Sequence, residues 1–273
     1  DVEPGGAVAP SDLVSPYVDC AVARAGGPVN STGKLTWIWI LDTGIQTNHP
    51  DLNVKGAPYA KSFVPGQTYE DGHSHGTHCA GIAAAKMNDF GVTGVSAGAW
   101  VVPVKVLSNS GSGQWSWLAA GLEHVAYWNW PGDVVSMSLG GTSIGTYDWP
   151  PIRAAITKLA NEGTWVVMAA GNNGNCVGAY STYPALLNYG RVYTVGAVNC
   201  DLTRAGYSNY GPNTVDWVAV GTNVKSTCPG SSYCWKSGTS MATPVVAGIR
   251  TRTSVASKRR PCDRRQGLGG CSA

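Results

Sequence analysis

The heptapeptide LTWIWIL, residues 35–41, is the stretch that decides the fold. It is rich in the aromatic and β-branched residues that favour strands. A strand with one solvated face would alternate apolar and polar residues, whereas this run is almost continuously apolar. The run therefore predicts a strand that is covered on both faces, as strands of parallel sheets are.

Further strand and helix patterns alternate along the chain on either side of this run. Their order predicts an α/β fold: a doubly wound, mostly parallel sheet with helices on both faces, in a single domain. The additional strands are predicted at residues 99–107, 133–139, 164–170, 192–198 and 215–221, and helices at residues 76–85, 116–128 and 151–163.

The composition is typical of a compact secreted protein. The chain has 273 residues, of which only 13% are charged, and it contains 11 tryptophans. No apolar run approaches the roughly 20 residues that span a bilayer, so no membrane partner is expected. The sequence begins at Asp1 without a signal-like leader, and we therefore expect a processed, extracellular form.

Charge divides the chain into two parts. Residues 1–249 carry a net charge of −3, and residues 250–273 carry +6. The first part is the predicted folded domain, and the second is a basic, atypical tail that is expected to be poorly ordered. The tail is either natural, with a possible role in binding anions or surfaces, or a sequence artefact such as a shifted reading frame. The body has no basic stripe, so a nucleic-acid partner is not expected.

The eight cysteines include no Cys-x-x-Cys pair, which argues against a zinc ribbon and for disulfides in an oxidising compartment. Cys228 and Cys234 flank a Pro-Gly-Ser-Ser turn signal, so a disulfide across a hairpin is predicted there. A second pairing, Cys176 with Cys200, is predicted from loops at one sheet edge. A bond between Cys262 and Cys271, or between either of them and Cys20, stays open.

Four polar residues lie where predicted strands end or helices begin: Asp42, His75, Asn172 and Ser240. In an open α/β sheet the active site lies at the carboxyl ends of the strands. Aspartate, histidine and serine at such points indicate nucleophilic catalysis. The small residues around Ser240, in SGTSMATP, would let a substrate backbone approach its hydroxyl.

Five blocks of the sequence resemble the signature motifs of the subtilisin-like serine proteases, the subtilases. They are LDTGI, HGTHCAG, SLGG, AAGNN and SGTSMATP, and they span roughly residues 35–249 in the order Asp, His, Ser that the family has. The cysteine of HGTHCAG, Cys79, is closer to the proteinase K side of the family. We expect Cys79 to be a buried free thiol beneath the site.

The resemblance implies a secreted serine endopeptidase that is made as a zymogen, matures with its own propeptide and acts as a monomer on protein or peptide substrates. Asp42, His75 and Ser240 would form the triad, and the Asn172 amide would join the oxyanion hole. Activity would rise with pH through about 6–7 as His75 becomes neutral. The competing interpretation is a catalytically inactive subtilase fold used for binding.

The resemblance also implies where a substrate binds. Two extended segments would clamp it as neighbouring strands. The expected primary pocket is formed by residues 138–140, 169–171 and the stretch near 180–183, and none of these is acidic, so apolar or aromatic residues are the expected preference. Trp115 would wall a distal subsite with Leu139, although packing on the surface is the alternative. The substrate-binding residues are Gly111, Ser112, Gly113, Trp115, Ser138, Leu139 and Gly140.

A structural calcium ion is the last expectation that the resemblance carries. A loop after the HGTHCAG helix has the length of the one that holds calcium in subtilisins, and hard oxygen ligands suit this ion. The alternative is a plain surface loop. The implied ligands are the Asp51 carboxylate, the Asn88 side-chain carbonyl, and the backbone carbonyls of Lys86, Phe90 and Val92.

Overall fold

A computed structural model of the chain describes residues 16–142, 149–176, 182–187, 189–211 and 214–253. In chain order the elements are α1 (Cys20–Arg24), β1 (Trp37–Asp42), β2 (Asn53–Val54), β3 (Lys61–Ser62), α2 (His75–Ala84), β4 (Trp100–Lys105), α3 (Trp115–Trp128), β5 (Val134–Met137), β6 (Gly141–Thr142), α4 (Pro150–Asn161), β7 (Trp165–Ala169), β8 (Thr182–Tyr183), β9 (Val192–Val198), β10 (Trp217–Val220), β11 (Val224–Cys228), β12 (Ser232–Lys236) and α5 (Thr239–Thr253).

The central sheet has the predicted parallel, doubly wound architecture. Its strands follow the order β10-β9-β7-β5-β1-β4-β2, and β3 also pairs with β4. All pairings in this sheet are parallel. The strand order reverses around β1, so the polar residues that follow β1, β5 and β7 reach one edge of the sheet.

The alternation of side chains in β1 builds both hydrophobic cores. Trp37, Trp39 and Leu41 pack on the side of α3 and α4. Ile38 and Ile40 pack on the opposite side, against α2 and α5. Each such side chain contributes about 1.5–3 kcal/mol when it is fully buried. This two-sided burial is why residues 35–41 lack the alternating pattern of a half-exposed strand.

Sequence analysis missed the shortest elements. The strands β2, β3, β6 and β8 have two residues each, and α1 has five. Segments of that length show no periodicity, so only their tertiary partners define them.

The last helix is longer than the sequence suggested. Its apolar pattern stops at Ile249, but α5 continues to Thr253. Arg252 donates hydrogen bonds to the carbonyls of Ala25 and Gly27, and Thr251 is buried. These contacts with the N-terminal part of the chain replace the missing apolar pattern. The division into a domain of residues 1–249 and a tail of residues 250–273 stays a prediction.

The predicted disulfide between Cys228 and Cys234 is confirmed. It closes the antiparallel hairpin of β11 and β12, with the two Cα atoms 6.0 Å apart. The predicted pairing of Cys176 with Cys200 is wrong, because Cys200 bonds to Cys20 with a Cα separation of 6.1 Å. The loop after β9 reaches the start of α1, where Arg24 Nε also donates to the Cys200 carbonyl.

Two of the described cysteines, Cys79 and Cys176, are unpaired; the first is buried and the second exposed. Cys262 and Cys271 lie outside the described residues, so a bond between them is not tested, whereas the alternative bond of either one to Cys20 is wrong because Cys20 pairs with Cys200. Among the helices of the described ranges, none has the length and apolar character that crossing a membrane requires.

Candidate active site

The four polar residues singled out in the sequence come together at the carboxyl edge of the sheet. Asp42 is the last residue of β1, His75 the first of α2, Ser240 the second of α5, and Asn172 follows β7 closely. His75, Asn172 and Ser240 line one open cleft of about 540 Å³. Asp42 is fully buried behind His75.

Asp42 and His75 form a buried, directed pair. The Nδ1 atom of His75 lies 2.8 Å from Asp42 Oδ1, which also accepts a hydrogen bond from the backbone N–H of Thr43 at 2.7 Å. A carboxylate can only accept, so Nδ1 carries the proton of the neutral ring and Nε2 is left as an acceptor. No donor among the described residues reaches Asp42 Oδ2.

Electrostatics in this pair favour the charged histidine. Burial alone would lower the pKa of His75, but the Asp42 carboxylate, together with Cys79, outweighs burial and raises that pKa well above 6.5. The imidazolium that forms when His75 accepts a proton is therefore stabilised by Asp42. This raises the pH at which the ring becomes an available base.

The start of α2 is fixed by Asp71, which the sequence analysis did not single out. Ser74, at the N-cap, has a left-handed φ of 96° and makes no side-chain cap bond. The Asp71 carboxylate takes over this role: one oxygen accepts from the N–H and hydroxyl of Thr77, and the other from the Thr43 hydroxyl at 2.8 Å. The only sequence signal for this was an acidic residue four positions before His75.

Close approach between α2 and the end of β1 requires a glycine at position 76. A Cβ there would lie 2.1 Å from the carbonyl oxygen of Gly44. Lys105 braces the same corner, because its buried ammonium donates to the Thr43 carbonyl and to Asn109 Oδ1. Burial lowers the pKa of Lys105. A lysine that ends an apolar strand was the available signal for this residue.

Ser240 is held between α5 and the segment after β5. Its hydroxyl donates to the Ser138 carbonyl at 3.2 Å, and the Ser138 hydroxyl donates to the Ser240 carbonyl at 2.8 Å. Ser240 lies in the first turn of α5, where backbone N–H groups have no partner within the helix and the helix dipole favours negative charge.

The amide of Asn172 has a fixed orientation. Its Oδ1 accepts from the backbone N–H and the hydroxyl of Thr239, at 2.9 and 3.0 Å. The Thr239 hydroxyl in turn accepts from the N–H of Gly171 at 3.1 Å. Because the oxygen is engaged, the NH₂ end of the amide is the part that can donate into the cleft.

Cys79 lies beneath the pair, as expected from the sequence. Its Sγ is 4.0 Å from His75 Nδ1 and 3.5 Å from the Ser240 carbonyl oxygen. Asp42, His75 and Cys79 present their donor atoms within 4.8 Å of one another, a spacing that also suits a metal. Burial raises the pKa of the thiol, however, which disfavours the thiolate that a metal would bind.

The walls of the cleft contain the predicted substrate-binding residues. They are Gly111, Ser112 and Gly113 of one segment, and Ser138, Leu139 and Gly140 of the other. Trp115 also lines the cleft and stacks edge-on against Tyr183, with ring centroids 5.4 Å apart.

The region of the expected primary pocket is lined by Ala169, Gly171 and Thr182. No acidic side chain occurs among the described residues that line the cleft. Residues 180 and 181, which the sequence analysis placed near this pocket, lie outside the described ranges.

The residues of the predicted calcium loop surround Asp51. The Asp51 carboxylate is buried and accepts from the N–H of Val92 at 3.0 Å, from the Tyr233 hydroxyl at 3.3 Å and from the Asn88 amide nitrogen at 2.9 Å. The predicted ligand atom of Asn88 was its oxygen. A half turn of the amide would present that oxygen instead, because the two ends of the amide have nearly the same shape.

The donor set of this loop fits a calcium ion. Burial raises the pKa of Asp51 to about 6, so an ionised Asp51 lacks sufficient compensation from its neighbours. No donor within the described part of the chain reaches the carbonyl oxygens of Lys86, Phe90 or Val92. A hard cation held by these oxygens would compensate the charge of Asp51 and would also give the three carbonyl oxygens a partner.

Comparison with known proteins gives one consistent result. The model of the subtilase family of peptidases matches residues 33–258. Subtilisin amylosacchariticus from Bacillus subtilis subsp. amylosacchariticus is 45% identical over 221 residues, which cover 80% of this chain and 55% of that protein. Subtilisin Savinase from Lederbergia lenta is 45% identical over 222 residues, covering 80% of this chain and 75% of the relative.

A solved structure shares the fold. It is that of a cold-adapted subtilisin-like serine proteinase, with a TM-score of 0.70 and 32% identity, and the match covers 81% of this chain and 74% of the other. The chain spans about half the length of several curated relatives, including the first of those named above. The nearer likeness to proteinase K stays a prediction.

Proposed function

Since the chain belongs to the subtilase family, we propose that it is a secreted serine endopeptidase that hydrolyses protein substrates through an acyl-enzyme. The observation that carries this proposal is the 2.8 Å hydrogen bond between His75 Nδ1 and Asp42 Oδ1, at a cleft that also contains Ser240 and Asn172. A second, inactive binding function has no comparable support, because every catalytic position holds the required residue type.

In the proposed acylation step, Ser240 Oγ attacks the substrate carbonyl while His75 Nε2 takes the hydroxyl proton. The hydroxyl must turn from the Ser138 carbonyl, to which it donates in the resting structure. Asp42 holds the tautomer and stabilises the imidazolium. The Asn172 NH₂ and the Ser240 N–H donate to the oxyanion, and a single side-chain donor of this kind contributes about 3–4 kcal/mol.

The same groups complete the cycle. His75 gives its proton to the departing amine, which leaves Ser240 esterified by the acyl group. Water then enters, loses a proton to His75 and attacks the ester, and the proton returns to Ser240 as the acid product leaves.

The cleft supports broad specificity with an apolar or aromatic preference at P1, the residue whose carbonyl is attacked. Pairing with backbone at residues 111–113 and 138–140 does not depend on side chains, and the described residues of the pocket region include no acidic group that would select a basic residue. A peptide library profiled by mass spectrometry should therefore show cleavage mainly after large apolar residues. Cleavage confined to sites after arginine would overturn this preference, and no cleavage of any peptide would overturn the endopeptidase itself.

Secretion, maturation with its own propeptide and action as a monomer belong to the same proposal. The Cys20–Cys200 and Cys228–Cys234 disulfides support an oxidising compartment.

We also propose that the loop around Asp51 holds a structural calcium ion, with Asp51, Asn88 and the carbonyls of Lys86, Phe90 and Val92 as ligands. The ion would supply stability and no chemical step. A ligand that binds only the folded state stabilises it by mass action, by about 4 kcal/mol at a thousand times its dissociation constant.

Removal of calcium should lower the melting temperature by about 10 °C, since each kcal/mol corresponds to about 2–4 °C for a domain of this size. The measurement is thermal unfolding of an inhibited sample in EDTA and in excess calcium. Asp51→Asn should abolish the response, whereas Glu123→Gln, at an exposed position on α3, should keep it. Equal melting in both conditions, with no metal by elemental analysis, would contradict the site.

A further inference from the structure

The loop before β1 contains a short motif that the proposed function does not use. Residues 30–32 are Asn-Ser-Thr, the only Asn-x-Ser/Thr triplet in the sequence. An asparagine followed two residues later by threonine, with a residue other than proline between them, is the acceptor pattern for an asparagine-linked oligosaccharide. Because three-residue patterns also occur by chance, the structure around the triplet decides whether a sugar can be carried there.

Asn30 is exposed, and the nitrogen to which a sugar would be attached is available. The Oδ1 atom of Asn30 accepts a hydrogen bond from the backbone N–H of Thr32 at 3.0 Å, so the oxygen end of the amide is held against the loop. No acceptor within the described part of the chain binds Nδ2. A bond from Nδ2 to a sugar would therefore break none of the hydrogen bonds in that part.

The residue between Asn30 and Thr32 anchors the loop. The N–H of Ser31 donates to the Ala97 carbonyl at 2.7 Å, and its buried hydroxyl accepts from the Ser96 hydroxyl, also at 2.7 Å. Ser31 therefore lies inward while Asn30 and Thr32 are both exposed, which is the alternation of an extended chain. A bulky group on Asn30 would extend into solvent and leave the anchor intact.

The loop lies at the amino edge of the sheet, opposite the catalytic cleft. It leads into β1, and its partner Ala97 lies shortly before β4. Asp42 is at the other end of β1, a strand of six residues that is roughly 17 Å long. A sugar on Asn30 would therefore leave the approach of a substrate to the cleft open.

The disulfides agree with the compartment in which such sugars are added. The Cys20–Cys200 and Cys228–Cys234 bonds need an oxidising environment, which the lumen of the endoplasmic reticulum provides. Asparagine-linked sugars are bulky and solubilising, and they are found on protein surfaces. A chain that acquires its disulfides on this route would also meet the enzymes that glycosylate acceptor triplets.

We propose that Asn30 is a modification site that carries an asparagine-linked oligosaccharide. The donor is an oligosaccharide linked to a lipid pyrophosphate. The bond between the anomeric carbon of the first sugar and the pyrophosphate oxygen breaks, a bond from that carbon to Asn30 Nδ2 forms, and Nδ2 loses a proton as the lipid pyrophosphate departs. Nothing is oxidised or reduced. This inference rests on the proposed secretion and not on the proteolytic activity.

Mass spectrometry of the protein secreted by its natural source tests the site. The peptide that contains Asn30 should carry an oligosaccharide, and peptide-N-glycosidase should release the sugar and leave aspartate at that position. Because the triplet is unique in the sequence, no other asparagine should change in this way. Recovery of Asn30 in entirely unmodified form would overturn the inference.

Four variants, produced in a eukaryotic secretion host, assign the sugar to this triplet. Asn30→Gln and Thr32→Ala should both lose it completely, and the second keeps the acceptor amide. Thr32→Ser should retain it, because a serine hydroxyl completes the same pattern. Asn48→Gln, at an exposed asparagine outside the pattern, should retain it as well. A sugar that persists in Thr32→Ala would overturn the inference.

Hydrolysis of a chromogenic peptide separates this inference from the proposed function. Asn30→Gln should keep the kcat/KM of the unaltered protein, because Asn30 lies at the opposite edge of the sheet from the cleft, and this result would also show that the variant folds. A glycosylated protein that cleaves no peptide would refute the endopeptidase and support the site. An active, secreted protein with unmodified Asn30 would support the endopeptidase and refute the site.

Discussion

Ser240→Ala is expected to lower kcat for peptide hydrolysis by about 10⁶-fold, the loss measured when the nucleophile is removed from subtilisin. Without the hydroxyl no acyl-enzyme forms, and the Asn172 amide and the cleft walls retain only binding and oxyanion stabilisation. The variant should fold normally, because within the described part of the chain Ser240 Oγ makes a single hydrogen bond, to the Ser138 carbonyl. Hydrolysis of a chromogenic peptide and melting temperature are the two measurements.

Labelling by an irreversible serine-hydrolase probe provides the control. The unaltered protein and Ser116→Ala, at an exposed serine in the first turn of α3, should both be labelled, and Ser240→Ala should not. Labelling that persists in Ser240→Ala would show that another residue is the nucleophile. A natural chain that is neither labelled nor active would favour the binding-only interpretation of the fold.

Asp42→Asn is expected to lower kcat by about 10⁴-fold, the loss seen when the aspartate of such a triad becomes asparagine. The side chain keeps its size, so the contact with Thr43 can persist. A neutral amide cannot stabilise the imidazolium, and its NH₂ end favours the wrong tautomer of His75. The buried carboxyl is also the charge that raises the pKa of His75.

The pH profile distinguishes this role from a loss of folding. In the unaltered protein activity should increase as His75 loses its proton, and the Asp42 charge places that increase above pH 6.5, somewhat higher than the sequence alone suggested. Because Asp42→Asn removes the negative charge, the pKa of His75 falls. The rise of the residual activity with pH should therefore occur at a lower pH than in the unaltered protein. An unchanged profile, or a loss below tenfold, would contradict the assigned role.

Much of the site was predictable because short motifs carry its residues. Asp42 directly follows a strand that is apolar on both faces, and His75 and Ser240 begin helices with small neighbours. The topology rule that polar residues after parallel strands meet at one edge then brings them together. The supporting residues were not predictable in this way. Asp71 and Lys105 act through contacts with Thr43, and no local pattern indicates which side chain will cap α2.

The disulfides also show that local sequence patterns predict pairing between near residues but not between distant ones. Cys228 and Cys234 are six residues apart around a turn, so local geometry decided their pairing. Cys20 and Cys200 are separated by 180 residues, and only the packing of α1 near the sheet edge brings them together. The extension of α5 beyond Ile249 also depended on distant partners, since Arg252 bonds to carbonyls near residue 26.

The sequence by itself determined the parallel α/β architecture, the order of its strands and helices, and which residues occupy the strand ends, because hydrophobic periodicity and motif chemistry are local properties. Only the tertiary structure decided the cap that Asp71 provides, the partner of Cys200 and the raised pKa of His75. Those features depend on distances between segments far apart in the chain, and burial and charge act through such distances.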